Sequence, residues 1–305
     1  MILQTTKEIR ELTGNYFANN DFGKIVGEIE MATEELAELI GQEVYKQAEG
    51  YYQNNSATDE EKELVRKVQR PIAIMATLRM YQKNDLSHED DGRKFKIDSN
   101  SEKLPWEWQL DRDDARHLED YYKSVDVLIR YLNKKGSEQW TKSRAYKESQ
   151  KLLIRNGQEF DTYFPIEKSE RTYLMLVPYI KEVQMLHTKR AYGPDKWDEL
   201  LSETAEEETE VHYAACKATA LMAMSLAMAR MQLKVVPAGV VRSYVAESGA
   251  MASEPATMAD IKLLADWIKD DAMGWLDEMK RARDGGDRIY KMLPENDKRN
   301  KFVRL

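Results

Sequence analysis

Cysteine is almost missing from this chain: Cys216 is the only one in 305 residues. No disulfide can close within the chain, and a thiolate zinc site is excluded. Proline and glycine are scarce, at 8 and 14, too few for the many tight turns of a β-sandwich or barrel. The four histidines are scattered, and His117, His187 and His212 have no triad-like neighbours. Nucleophile-elbow, Walker, Rossmann, His-Glu-x-x-His and EF-hand patterns are all absent. Long apolar runs are absent as well. The longest, residues 218–229, is bracketed by Lys217 and Arg230 and falls short of the about 20 residues a membrane span needs. The opening Met1-Ile2-Leu3-Gln4 lacks the basic start and apolar stretch of a secretion signal. An excess of positive charge is missing too: the net charge is −8 and the pI about 5.3. An acidic surface repels phosphate, so neither sequence-specific nucleic acid nor a membrane is an expected partner.

What is present points to helices. Hydrophobic residues make up 42% and charged residues 33%, enough for a core with many solvated faces. Phe22, Ile25, Ile29, Ala32, Leu36, Ile40 and Val44 recur at three- and four-residue steps and form one apolar stripe. Asp21 can cap it, and Gly41 lies inside it. Thr58 and Glu61 have capping-box spacing ahead of a second stripe through Leu64, Val68 and Ile72. Pro71 either kinks that helix or starts a new one. Residues 85–111 show no helical period and read as a long ordered loop, with room for a short strand pair. A third helix is expected from about residue 111 to 132. Cys216, in an Ala- and Met-rich run, reads as a small buried apolar residue.

The second half repeats this plan. At an offset of 147, Ala73-Ile74-Met75-Ala76 meets Ala220-Leu221-Met222-Ala223, Leu86 meets Leu233, Gly92 meets Gly239, and Tyr16-Phe17 meets Tyr163-Phe164. At 146, Leu118, Asp120, Tyr121 and Lys123 meet Leu264, Asp266, Trp267 and Lys269. The expected fold is therefore all-α: two tandem, related helical-bundle modules, with the long ordered loop in the first. The first module spans 1–136, with its polar loop at 85–111, the second 137–286, and a basic tail 287–305. The link falls at 134–137, and Leu152-Leu153-Ile154 is either a helix end or a short strand. The tail carries six cations, among them Arg299 and Arg304, against three carboxylates, and can grip a neighbour.

Three clusters carry possible chemistry. Glu34-Glu35-Leu36-Ala37-Glu38 has the carboxylate spacing of an all-helical, Mg²⁺-dependent nucleotide hydrolase. The second carboxylate pair that such a site needs is absent, and acidic helices produce this spacing by chance. His88, Glu89, Asp90 and Asp91 form the densest set of potential ligands, joined by Asp85 and Asp98. A turn whose acids face Arg93, Lys94 and Lys96 accounts for them more simply. Trp106 and Trp108 point to one side if their segment is extended; core packing is the plainer reading and a partner anchor the sharper one. No catalytic residue, metal ligand or cofactor is assigned. His88, Glu89, Asp90, Arg93, Lys94, Lys96, Trp106, Trp108, Arg299 and Arg304 are the candidate interface.

The segment Thr6-Lys7-Glu8-Ile9-Arg10-Glu11-Leu12, then Asp21-Phe22, then Ile25-x-x-x-Ile29-x-x-Ala32 ending in Leu39-Ile40-Gly41, resembles the opening of phage head–tail connector (adaptor) proteins. Gln69-Arg70-Pro71-Ile72-Ala73-Ile74-Met75-Ala76 through Tyr81 is similar to their second helix. Val236-Pro237-Ala238-Gly239-Val240-Val241 through Tyr244 is similar to their closing segment. As a whole the chain also resembles an uncharacterised family of Bacteroidetes genomes and prophages. The likeness covers the helical parts of each half, and not the 88–108 loop or the tail. It implies a non-enzymatic virion part, a homo-oligomeric neck ring whose partners are its own copies, the portal and tail or neck proteins. Such a protein resides in the virion, or in the host cytoplasm before assembly. Known connectors have one module, whereas this chain would hold two.

Overall fold

A computed structural model describes residues 1–14, 16, 21–85, 87–89, 92–94, 106–203, 209–231, 233–236, 239–242 and 257–284; for the strand residues among them, only the backbone is described. The fold is all-α. The first half runs α1 (Thr6–Thr13), α2 (Val26–Ile40), α3 (Gln42–Gln53), α4 (Asp59–Asn84), a hairpin of β1 (Ser87–Glu89) and β2 (Gly92–Lys94), and α5 (Glu107–Lys135). Short helices α6 (Glu138–Thr141) and α7 (Arg144–Ser149) follow. The second half runs α8 (Gly157–Tyr163), α9 (Glu170–Val183), α10 (Lys189–Tyr192), α11 (Trp197–Ser202), α12 (Glu210–Arg230), a hairpin of β3 (Leu233–Val236) and β4 (Gly239–Arg242), and α13 (Met258–Arg283).

The apolar stripes form two cores. In the first, Ile29, Leu36, Val68, Ile72, Leu128 and Leu132 bring α2, α4 and α5 together. In the second, Phe160, Leu176, Ile180, Ala223, Ala272 and Leu276 join α8, α9, α12 and α13. Trp140, beyond the expected link, belongs to the first core; its indole N–H donates to Asn133 Oδ1 at 2.9 Å. Leu174 packs against both cores. Beside it the modules are pinned by Asp126 of α5, which accepts from the Arg171 amide at 2.8 Å and the Ser169 hydroxyl at 3.2 Å. Arg171 in turn lies over the Tyr122 ring at 3.9 Å.

The duplication is visible in the backbone. In the first hairpin Glu89 pairs with Gly92, His88 with Arg93 and Ser87 with Lys94; 147 residues later Val236 pairs with Gly239, Val235 with Val240 and Lys234 with Val241. The hairpins thus share one register, each between a module's two long helices. The entry helices match at an offset of 151. The Thr5 hydroxyl caps α1 and the Asn156 side chain caps α8, and Glu8 and Glu159 accept from the Gln4 and Arg155 amides at 2.9 and 2.7 Å. Ile2 and Leu3 are buried as Leu153 and Ile154 are, so residues 152–154 are neither helix nor strand but a buried approach to a capped helix.

The structure corrects several expectations. The stripe from Phe22 to Val44 is a 3-10 turn over Phe22–Lys24 and then two α-helices, broken at Gly41. With φ at +95°, Gly41 adopts a backbone that other residues rarely take, and a Cβ there would sit 3.1 Å from the Ser143 side chain. Pro71 does not start a new helix, since α4 runs through it. The 146-residue match in the last helix is a coincidence: Leu118 and Tyr121 pack against the first core, whereas Leu264 and Trp267 are 44% and 60% exposed. The buried stripe follows 147, with Val125, Ile129 and Leu132 answered by Ala272, Leu276 and Met279. The Tyr16–Tyr163 pairing at 147 fails too. Tyr16 stands beyond the end of α1, whereas Tyr163 is the last residue of α8, whose offset is 151.

Candidate assembly surface

The region expected to be a loop, 85–111, contains the first hairpin and the start of α5. His88, Glu89, Arg93 and Lys94 lie in the hairpin, with His88 directly across from Arg93. Asp90 and Lys96, like Arg299 and Arg304 of the tail, fall outside the described residues. Trp106 is the extended N-cap of α5 and Trp108 lies within the helix, so the two rings do not share a strand face. They are 71% and 57% exposed, and the core-packing reading does not hold. The reason is length: α5 begins four residues before the expected start, and its buried positions begin only at His117.

The ends of α4 and α5 that flank the hairpin in sequence are joined to each other. The His117 ring meets Tyr81 edge-on at 6.1 Å, and its Nε2 lies 3.6 Å from Asp113. The Gln82 amide donates to Asp114 at 2.8 Å. Burial, then the neighbouring Asp114 charge, pushes the Asp85 carboxyl above its ordinary range. No set of three potential metal ligands converges among the described residues. In the acidic run of α2, Glu35 is held by a two-pronged contact with Arg79 of α4 at 2.7 and 2.8 Å, and Glu34 and Glu38 face solvent. Cys216 is buried, its Sγ 3.7 Å from the His212 ring. No described helix is long and apolar enough to cross a membrane.

The second module carries a similar exposed apolar zone that sequence reasoning missed. On α13, Leu263, Leu264 and Trp267 are 50%, 44% and 60% exposed. Like Trp106, Trp108 and Leu110, they stand near the start of the helix that follows a hairpin. The signal was available in the sequence, because these three residues lie off the stripe of Ile261, Ala265, Ile268 and Ala272.

Residues 36–150 and 187–282 match one family model. The chain belongs to the family described as a family of unknown function (DUF6712). Each matched stretch contains a helix–hairpin–helix unit. No curated protein and no solved structure matches the chain.

Proposed function

We propose that this protein is a structural subunit of a multi-copy assembly, a head–tail connector or neck-ring component of a phage or prophage, acting without catalysis. One observation carries the reading. Each module closes its own core, yet each sets bulky apolar side chains in water at the start of its last helix. Exposed tryptophans cost solvation free energy and are favoured as anchors at protein interfaces. Their recurrence in both modules supports a surface kept for partners. The likeness of α1, α2 and α4 to connector segments supplies the kind of assembly, and its partners are further copies of the chain, portal and tail or neck proteins.

Native mass spectrometry and negative-stain imaging of the purified chain, alone and with a phage portal protein from the same genome if one is encoded there, test this. The expected result is a closed ring or a stable portal complex, and particles that contain the protein. A chain that stays monomeric at all concentrations, ignores portal and is missing from particles would overturn the reading.

A further inference from the structure

The two modules differ in charge at equivalent places. A groove of about 320 Å³ runs between α4 and α5. Arg66, Lys67, Arg70 and Lys123 line it, against Glu63 and Asp120, a net of +2 on a protein of net −8. Most of these charges are already paired: Glu63 lies 3.2 Å from Lys67, Asp120 lies 3.5 Å from Arg116, and Lys123 contacts Glu119. Arg66 and Arg70 are exposed, one helical turn apart, with no ion pair among the described residues.

At the positions 147 later, the sign is reversed. Arg66 and Lys67 become Tyr213 and Ala214, and Lys123 and Ser124 become Asp270 and Asp271. Glu210 keeps the place of Glu63. The remaining cation, Lys217, is turned inward onto the Tyr163 carbonyl. Asp270 and Asp271 are exposed on α13 beside Trp267, which stands where Asp120 stands in the first module. The two faces share one backbone plan, and their side chains make one basic and the other acidic.

We infer that copies of this chain associate front to back: the basic α4–α5 face of one copy meets the acidic α12–α13 face of the next, with exposed Trp267 anchoring on exposed Val127. This rests on the assembly reading above and names its surface. Opposite charge patches steer encounter and fix register, and a desolvated tryptophan at the centre supplies affinity. Two different faces on one chain make a heterologous contact, which closes into a ring or continues as a filament according to its rotation. An isologous dimer would instead have to seat both patches at once across one two-fold axis.

Charge reversal in the full chain, read by sedimentation velocity and native mass spectrometry, decides the matter, with circular dichroism melts to verify folding. Wild type is expected to assemble at low salt and to weaken as salt screens the faces. Arg66→Glu with Arg70→Glu, or Asp270→Arg with Asp271→Arg, should each weaken self-association roughly tenfold or more. Mixing the two variants should restore it, because the reversed faces are then complementary. Two folded variants that assemble like wild type would show that another surface is used, while leaving the assembly reading intact. A wild-type chain that never self-associates would remove this contact, and portal binding would then decide the broader reading separately. A labelled oligonucleotide held by the α4–α5 groove and lost in Arg66→Glu/Arg70→Glu, with self-association unchanged, would make the groove a phosphate-backbone site and overturn the inference.

Discussion

The two modules fold the same backbone plan with different filling. In the first, α4 and α5 are spaced by large side chains: Val68, Ile72, Val125 and Ile129 are all buried. In the second, the corresponding places hold Ala215, Thr219, Ala272 and Leu276. Small residues let α12 and α13 approach closely along their length, and helix separation follows the side chains at the contact. Topology is therefore set by where the apolar stripe lies, and spacing by how large its members are. A hairpin of fixed register tolerates both, because it ties only the helix ends.

Breaking the first core should have the largest effect. Trp140→Ala empties a site that is 2% exposed and should cost about 3–5 kcal/mol, read by urea denaturation. A loss under about 1 kcal/mol would mean that Trp140 is not part of that core. Next comes the test of spacing. Ala272→Leu forces bulk into a site with no exposure and should cost about 1–3 kcal/mol. If it is neutral, the close approach of α12 and α13 is slack. Thr5→Ala and Asn156→Ala remove equivalent caps, so each should cost about 1 kcal/mol and by similar amounts; thermal melts of the two variants compare the modules directly.

The smallest effect is electrostatic. Hydrogen bonds and charge from Lys151 and Lys181 hold Glu148 at about 2 against an ordinary 4.5. A carboxylate with a lowered value stabilises the fold in full above pH 4.5 and loses that contribution as pH falls toward 2. The Glu148 side chain is partly open to solvent, which screens these charges, so the effect is slight. Denaturation at pH 6, 4 and 2.5 should show Glu148→Gln converging with wild type at the acid end. A gap that widens with acid would contradict the assignment.

Much of this was legible in the sequence. The α2 and α4 stripes, the Thr58 cap and the all-helical class follow from spacing alone, and the 147-residue offset already aligned Gly92 with Gly239 at the hairpins. Other features were hidden for physical reasons. Gly41 reads either as a tolerated gap or as a place where another backbone comes close, because the apolar period continues across it; its positive φ and the approach of Ser143 make it a break. The entry helices escaped because their offset is 151, with four more residues before α2 in the first copy than before its counterpart. Arg66 and Arg70 drew no notice within a helix rich in both charges. Their meaning lies in the comparison with Tyr213 and Lys217, made possible by the repeat.

One turn of the second module is wound differently. After α9, Gln184–Thr188 forms a π turn, which holds an additional residue within an otherwise continuous helix. The Gln184 side chain fastens it, accepting from the Leu153 amide and donating to the Lys151 carbonyl, both at 2.9 Å. At its end Thr188 meets Thr219 at 2.8 Å in the interior, while Met185 and Leu186 bulge into water. The turn acts as a rotational coupling: it takes up one residue's worth of twist, so the hydroxyl pair stays aligned. Excising a single residue there would turn everything downstream by about 100° and present a different side of α10 to α13.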